Sequence, residues 1–121
     1  MGSNYSVENG AGLTRHAYYT THNIVMLLKQ MQYSPLQSDF EAGLPIPGFE
    51  GSLSNAPIGL MGHAHIKTGT LNDVRAYSGY LYTKSGHKYI VSIVATGVNT
   101  NDEQEMKLLD EFIRRMLMRL N

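Results

Sequence analysis
"HAHIKTGTLNDVRAYSGYLYTKSGHKYIVSIVAT", residues 63–96, decides the fold of this chain. Three runs within it, 63–70, 74–83 and 87–96, are rich in β-branched and aromatic residues and read as strands. Lys84-Ser85-Gly86 separates the second run from the third, a hairpin signal with glycine at the tight position. The stretch Tyr89-Ile90-Val91-Ser92-Ile93-Val94 is nearly all strand formers and reads as a central strand rather than a solvated one. Consecutive strands with connections this short pair antiparallel.

Helical signals flank the strands. Before them, Ile24, Leu27, Leu28 and Met31 repeat at the spacing of an amphipathic helix opening at Thr20 or Thr21. Ser34 before Pro35 predicts a cap with proline at the first helical position, starting a short helix to about Phe40. Five glycines and three prolines make 43–62 a winding loop. After the strands, Asn101 or Asp102 caps a helix to about Leu120, with Met106, Leu109, Phe112, Ile113, Met116 and Leu120 as its buried side. Acids lead that helix and arginines close it, as its dipole favours. The expected class is α+β: an antiparallel sheet of about three strands packed by an N-terminal and a C-terminal helix.

Composition removes several functions. The 121 residues suit one domain. Ten basic and ten acidic residues cancel, so there is no electrostatic case for a nucleic-acid or membrane-surface partner. The absence of cysteine excludes disulfides, thiol catalysis and thiolate metal sites. No apolar stretch is long enough to predict a membrane span. His63 and His65 stand two apart on a strand and share a face, but no third ligand lies near, so no metal site is expected. Tyr77, Tyr80, Tyr82 and Tyr89 read as sheet residues, and the methionines as core filler. Residues 1–6 read as a tag or linker, and 7–121 as the folded part.

"KTG" at 67–69 does not stand alone. "NGAGLTRH" at 9–16, "LPIPGFEGSLSN" at 44–55 and "KTGTLNDVRAYSGYLYTKSG" at 67–86 follow one another in a familiar order. Together they resemble the C-terminal third of the transpeptidase domain of class C low-molecular-mass penicillin-binding proteins. These are serine D-alanyl-D-alanine carboxypeptidases/endopeptidases of bacterial cell walls. The resemblance covers about residues 7–118 and implies part of a β-lactamase/transpeptidase-like fold. It further implies that Lys67 supplies a catalytic ammonium beside the nucleophile, and that the Thr68 hydroxyl meets the substrate carboxylate. Gly69 lets a peptide approach the strand closely, and the Thr70 backbone N–H is an oxyanion donor. The D-Ala-D-Ala stem peptide of peptidoglycan, or a β-lactam, would lie against this strand as an added strand. No cofactor is implied, and the location would be periplasmic or otherwise extracytoplasmic.

The same family needs a Ser-x-x-Lys on successive turns of a helix and a Ser-x-Asn. This chain has one Ser-x-x-Lys, Ser85 to Lys88, on the predicted hairpin where that geometry cannot arise, and no Ser-x-Asn. Both motifs precede the segment matching 9–16 in the family. The expectation is a C-terminal segment, inactive alone, whose partner is the N-terminal part of the same domain. A non-enzymatic module keeping the strand for peptide recognition or assembly is the alternative. Without neighbours from the N-terminal part, 87–96 would be an edge prone to self-association.

Overall fold
A computed structural model describes residues 5–10, 12, 14, 16–47 and 63–120. Ala11, Leu13 and Arg15 of the segment 9–16, and residues 48–55 of the segment 44–55, lie outside the described residues. Strands β1 (Ala64–Leu71), β2 (Val74–Tyr82) and β3 (Lys88–Thr96) form an antiparallel sheet in the order β1-β2-β3. The β2–β3 hairpin closes where Thr83 N–H donates to His87 O (2.9 Å) and Gly86 N–H donates to Thr83 O (3.0 Å). Gly86 takes φ +86°, which its missing Cβ permits.

Helix α1 (Thr21–Met31) starts at Thr20, whose Oγ1 accepts from Asn23 N–H while the Asn23 side chain accepts from Thr20 N–H. The expected cap at Ser34 is not one. Its Oγ accepts from Leu36 N–H and its carbonyl from Gln37 N–H, which makes a separate tight turn. Helix α2 therefore begins later, spanning Gln37–Ala42. At the other end, Asp102 accepts from the N–H groups of Gln104 and Glu105 to open α3 (Glu103–Arg119).

Strand alternation sorts side chains onto two faces. Ala64, Ile66, Tyr77 and Leu81 on one face pack with Ile113, and Val91, Ile93 and Leu109 close around them. This is the core, with α3 as its cover. Three expectations for α3 are corrected: Phe112 is 61% exposed, Leu120 42% and Met116 39%. At about 100° per residue, Phe112 points a full step away from Ile113, off the buried stripe. Nor is β3 central: it forms one edge of the sheet among the described residues.

On the opposite face, Tyr80 is fully buried and its hydroxyl donates to Leu28 O (2.8 Å), tying the sheet to α1. Glu41 of α2 is buried beside it. Its carboxylate accepts from Lys88 Nζ (2.8 Å), from Gln37 Nε2 (2.6 Å) and from the Tyr82 hydroxyl. The Lys88 ammonium in turn stands 4.0 Å from the centre of the Tyr80 ring and 5.2 Å from that of Tyr82. Burial would raise the Glu41 carboxyl, but the Lys88 and Tyr82 hydrogen bonds and the Lys88 charge outweigh it, and the group sits below 4.5. Burial would lower Lys88, yet Glu41 and Tyr82 hold it above 10.5.

A depressed carboxyl contributes stability that is present above its unfolded value and lost as pH falls through the folded one. A raised ammonium contributes stability lost only at strongly alkaline pH. The pair therefore contributes fully between about 4.5 and 10.5. Thermal melts taken downward from pH 6 should show stability falling below about 4.5, with a flatter profile in Glu41→Gln; equal slopes would remove the pair from the account. The β3 edge yields a second expectation. Lys88 is folded onto Glu41, so no free charge guards the strand, and Val94 is 40% exposed. Sedimentation of the 121-residue chain should show self-association rising with concentration and abolished by Val94→Lys. A concentration-independent monomer would show that the edge is protected.

Candidate functional site
The hydrogen-bond parity of the sheet fixes what β1 shows to the outside. Tyr82 N–H donates to His63 O (2.7 Å), so backbone groups of odd-numbered β1 residues turn toward β2. Those of even-numbered residues turn outward, as Ile66 demonstrates: its N–H donates to Pro45 O (2.8 Å) beyond the edge. By the same alternation, the carbonyl of Thr68 and the N–H of Thr70 face out along the part of the strand past Pro45. A peptide laid antiparallel there would meet an acceptor and a donor two residues apart, the requirement for strand addition.

The four residues singled out by sequence are thus contiguous on one edge, but their side chains divide. Lys67 and Gly69 project to the face of α1 and α2, and Thr68 and Thr70 to the face of α3. Lys67 is exposed, and its ammonium donates to Thr68 O (2.5 Å), so the positive charge rests at the outer edge. Thr68 is buried, 7% exposed, and is the least accessible of the four. The Thr70 hydroxyl accepts from Arg75 Nη1 (2.6 Å).

Gly69 differs from the other strand glycine. A Cβ on Gly79 would stand 1.9 Å from the His65 carbonyl oxygen, so that glycine is required by the cross-strand packing. A Cβ on Gly69 would meet only Ala76 Cβ at 3.8 Å, an ordinary contact, and its φ is not in the left-handed region. The fold of the described residues does not require Gly69 to be glycine.

Other weighed residues stay apart from this edge. Ser85 Oγ lies 2.8 Å from Thr83 Oγ1 and 3.0 Å from His87 Nδ1 in the hairpin loop, while Lys88 Nζ is bound to Glu41. The Ser85–Lys88 spacing therefore makes no nucleophile–base pair. His65 meets Tyr82 edge-on, with ring centroids 6.3 Å apart. Among the described residues no three His, Cys, Asp or Glu side chains gather as metal ligands. Of the tyrosines, Tyr77 and Tyr80 are core, Tyr82 is half-buried and Tyr89 is 40% exposed. No described helix is long and apolar enough to cross a membrane.

Sequence reasoning missed the buried group behind the edge. Arg75 of β2 is paired with Thr70 across the strands, and its guanidinium is nearly enclosed. Besides Thr70 it reaches the Tyr77 hydroxyl through Nε (3.1 Å) and Asp110 Oδ1 through Nη2 (3.4 Å). The Tyr77 hydroxyl donates to the same Asp110 oxygen. Burial first, and the Asp110 acceptor second, push the Tyr77 phenol up to about 12, so it remains a donor throughout the physiological range. An arginine on an inward-facing strand position was a signal for such a network, since buried guanidinium groups are paired.

Known proteins share this fold. The chain is 34% identical over 98 residues to the D-alanyl-D-alanine carboxypeptidase of Actinomadura sp. (strain R39), covering 75% of this chain and 18% of that protein. Penicillin binding protein 4 from Haemophilus influenzae superposes with a TM-score of 0.83 at 21% identity, over 98% of this chain and 28% of the other. The same protein in complex with a β-lactam gives 0.82 at 21% identity, over 97% and 29%. A penicillin G-acylated predatory endopeptidase from Bdellovibrio bacteriovorus, in complex with an immunity protein, gives 0.75 at 16% identity, over 96% and 33%. The chain thus spans about a third or less of each relative's length. Residues 2–116 match the D-Ala-D-Ala carboxypeptidase 3 (S13) family, and the chain belongs to it.

Proposed function
We propose that this chain forms one wall of the active site of a serine-type D-Ala-D-Ala carboxypeptidase/endopeptidase acting on peptidoglycan stem peptides outside the cytoplasm. The observation that carries this reading is the edge of β1. Its outward backbone groups at Thr68 and Thr70, the exposed Lys67 and the structurally unneeded Gly69 fall on four consecutive residues.

In the complete site Lys67 acts as a fixed positive charge. It attracts the substrate's terminal carboxylate and favours the deprotonated nucleophile supplied by the rest of the domain. The Thr68 carbonyl accepts from the substrate backbone as the peptide aligns along the edge, and the resemblance assigns the Thr68 hydroxyl to that carboxylate. The Thr70 N–H donates to the oxygen that becomes negative when the nucleophile adds to the scissile carbonyl. A donor aimed at developing charge lowers the barrier more than it tightens ground-state binding. A β-lactam satisfies the same groups, since its ring carbonyl and carboxylate present the same pair of acceptors. The relatives' β-lactam complex and penicillin acylation, seen in those proteins, support the reading.

Labelled penicillin with intact-mass detection tests it. The 121-residue chain alone should carry no adduct, because its one Ser-x-x-Lys, Ser85 to Lys88, makes no nucleophile–base pair and no such pair stands among the described residues. The full-length enzyme bearing this segment should carry one, formed about 10²–10³-fold more slowly in Lys67→Ala, the usual cost of one preorganised group. Unchanged kinetics in that variant would remove Lys67 from the site. The two strand glycines give an independent check. Gly69→Ala should leave the melting temperature of the chain essentially unmoved while slowing acylation of the full-length enzyme. Gly79→Ala should unfold or strongly destabilise it, because backbone has to shift. A Gly69→Ala enzyme that is acylated at the normal rate would show that no ligand approaches there.

A further inference from the structure
We propose that Arg75 is a positioning residue for acyl transfer: its guanidinium, held by Tyr77 and Asp110, fixes Thr70 and with it the N–H that this residue turns to the open edge. The proposal rests on the reading of β1 as the wall of the site. It adds a group that touches neither substrate nor nucleophile.

Arg75 and Thr70 face each other across β1 and β2, and this pair lies one rung from the turn that joins the strands. A loop between strands is ordinarily among the more mobile parts of a sheet. Here it is tied down twice. Thr100 Oγ1 donates to Asn72 O (2.6 Å) and Val98 N–H to Asp73 O (3.3 Å), which fastens the turn itself. The guanidinium fastens Thr70 from inside, using Nη1 on the Thr70 hydroxyl and its other two nitrogens on Tyr77 and Asp110. The fork is planar and rigid, so engaging all three nitrogens leaves it one orientation. Its charge is balanced by Asp110, whose carboxylate also takes the Tyr77 proton donor, so α3, β2 and β1 meet at one point.

Stability alone is a poor reason for this arrangement. Buried ion pairs are often matched or exceeded by apolar residues of the same volume. What an apolar residue could not do is hold the Thr70 hydroxyl, and through it the φ and ψ that aim the adjacent N–H. Oxyanion donors must be placed to within about 0.5 Å, and misplacement by about 1 Å costs about a hundredfold in rate. A loosened Thr70 therefore slows bond formation without altering how tightly the ground state binds.

The test is penicillin acylation of the full-length enzyme bearing this segment, as wild type and as Arg75→Met, Arg75→Lys, Tyr77→Phe and Lys67→Ala. Maximum rate, half-saturating concentration and adduct per molecule are recorded separately. Arg75→Met is expected to lower the maximum rate about ten- to a hundredfold. Its half-saturation should stay the same and its final adduct should reach one per molecule. Arg75→Lys should recover part of the rate, because an ammonium reaches Thr70 but lacks the fork. If Arg75→Met yields no folded enzyme, Tyr77→Phe, which keeps the ring in the core, carries the same comparison. A normal rate in either variant, or a loss confined to the adduct per molecule, assigns the network to folding and overturns the proposal. A normal rate in Lys67→Ala as well overturns the underlying reading of the edge.

Discussion
The alternation of hydrogen bonding along β2 governs the rest of this structure. Each β2 residue spends its backbone groups on one neighbour only, even-numbered residues on β1 and odd-numbered ones on β3. A shift of one residue in the β1–β2 ladder would turn the Thr68 carbonyl and Thr70 N–H inward and bring Lys67 across to the α3 face. Gly79 protects against that slip. The His65 carbonyl occupies the space of a Cβ there, so the two strands close fully only in the register that sets Gly79 opposite Ile66. The edge chemistry is thus a consequence of a glycine one strand away.

Two polar networks then hold the layers in place, one on each face. Glu41, Lys88, Tyr82 and Gln37 join α2 to β2 and β3. Arg75, Tyr77, Thr70 and Asp110 join α3 to β2 and β1. In both, a cation and a carboxylate are shielded by tyrosine, whose ring excludes water and whose hydroxyl fills the remaining acceptor site. Half-satisfied buried networks are worse than an apolar core, and fully satisfied ones select one packing over others of similar compactness. That selection matters more for an active-site wall than for a bare scaffold, because a few tenths of an ångström decide whether donors line up.

Much of this was legible in the sequence, and the failures are instructive. The strands were readable because their residue types and the Lys84-Ser85-Gly86 turn agree, and α1 because Thr20 and Asn23 cap it where the apolar repeat begins. Ser34 misled because its hydroxyl serves a local turn as readily as a helix cap. Phe112 misled because an apolar residue one step from the buried stripe cannot be told by type from one on it. Lys67 to Thr70 are singled out through the resemblance of whole segments, since a short triplet alone carries little. Arg75 escaped because its role depends on Asp110, 35 positions away, which no local pattern links to it.

The two edges of the sheet differ in a way that bears on how such a wall is used. The β1 edge carries a lysine, two threonines and a glycine, and Pro45 already closes one end of it. A strand added there would bind through backbone hydrogen bonds and seal little apolar surface. The β3 edge is the opposite. Val25, Ile90, Val91, Ile93, Met116 and Leu120 line an open apolar cleft of about 400 Å³ along it, and the hydroxyl of Ser92 there has no partner. Apolar surface of this extent favours a cover that stays, since each methylene removed from water adds about 0.8 kcal/mol to the association. One sheet thus carries a polar edge at β1 and an apolar edge at β3.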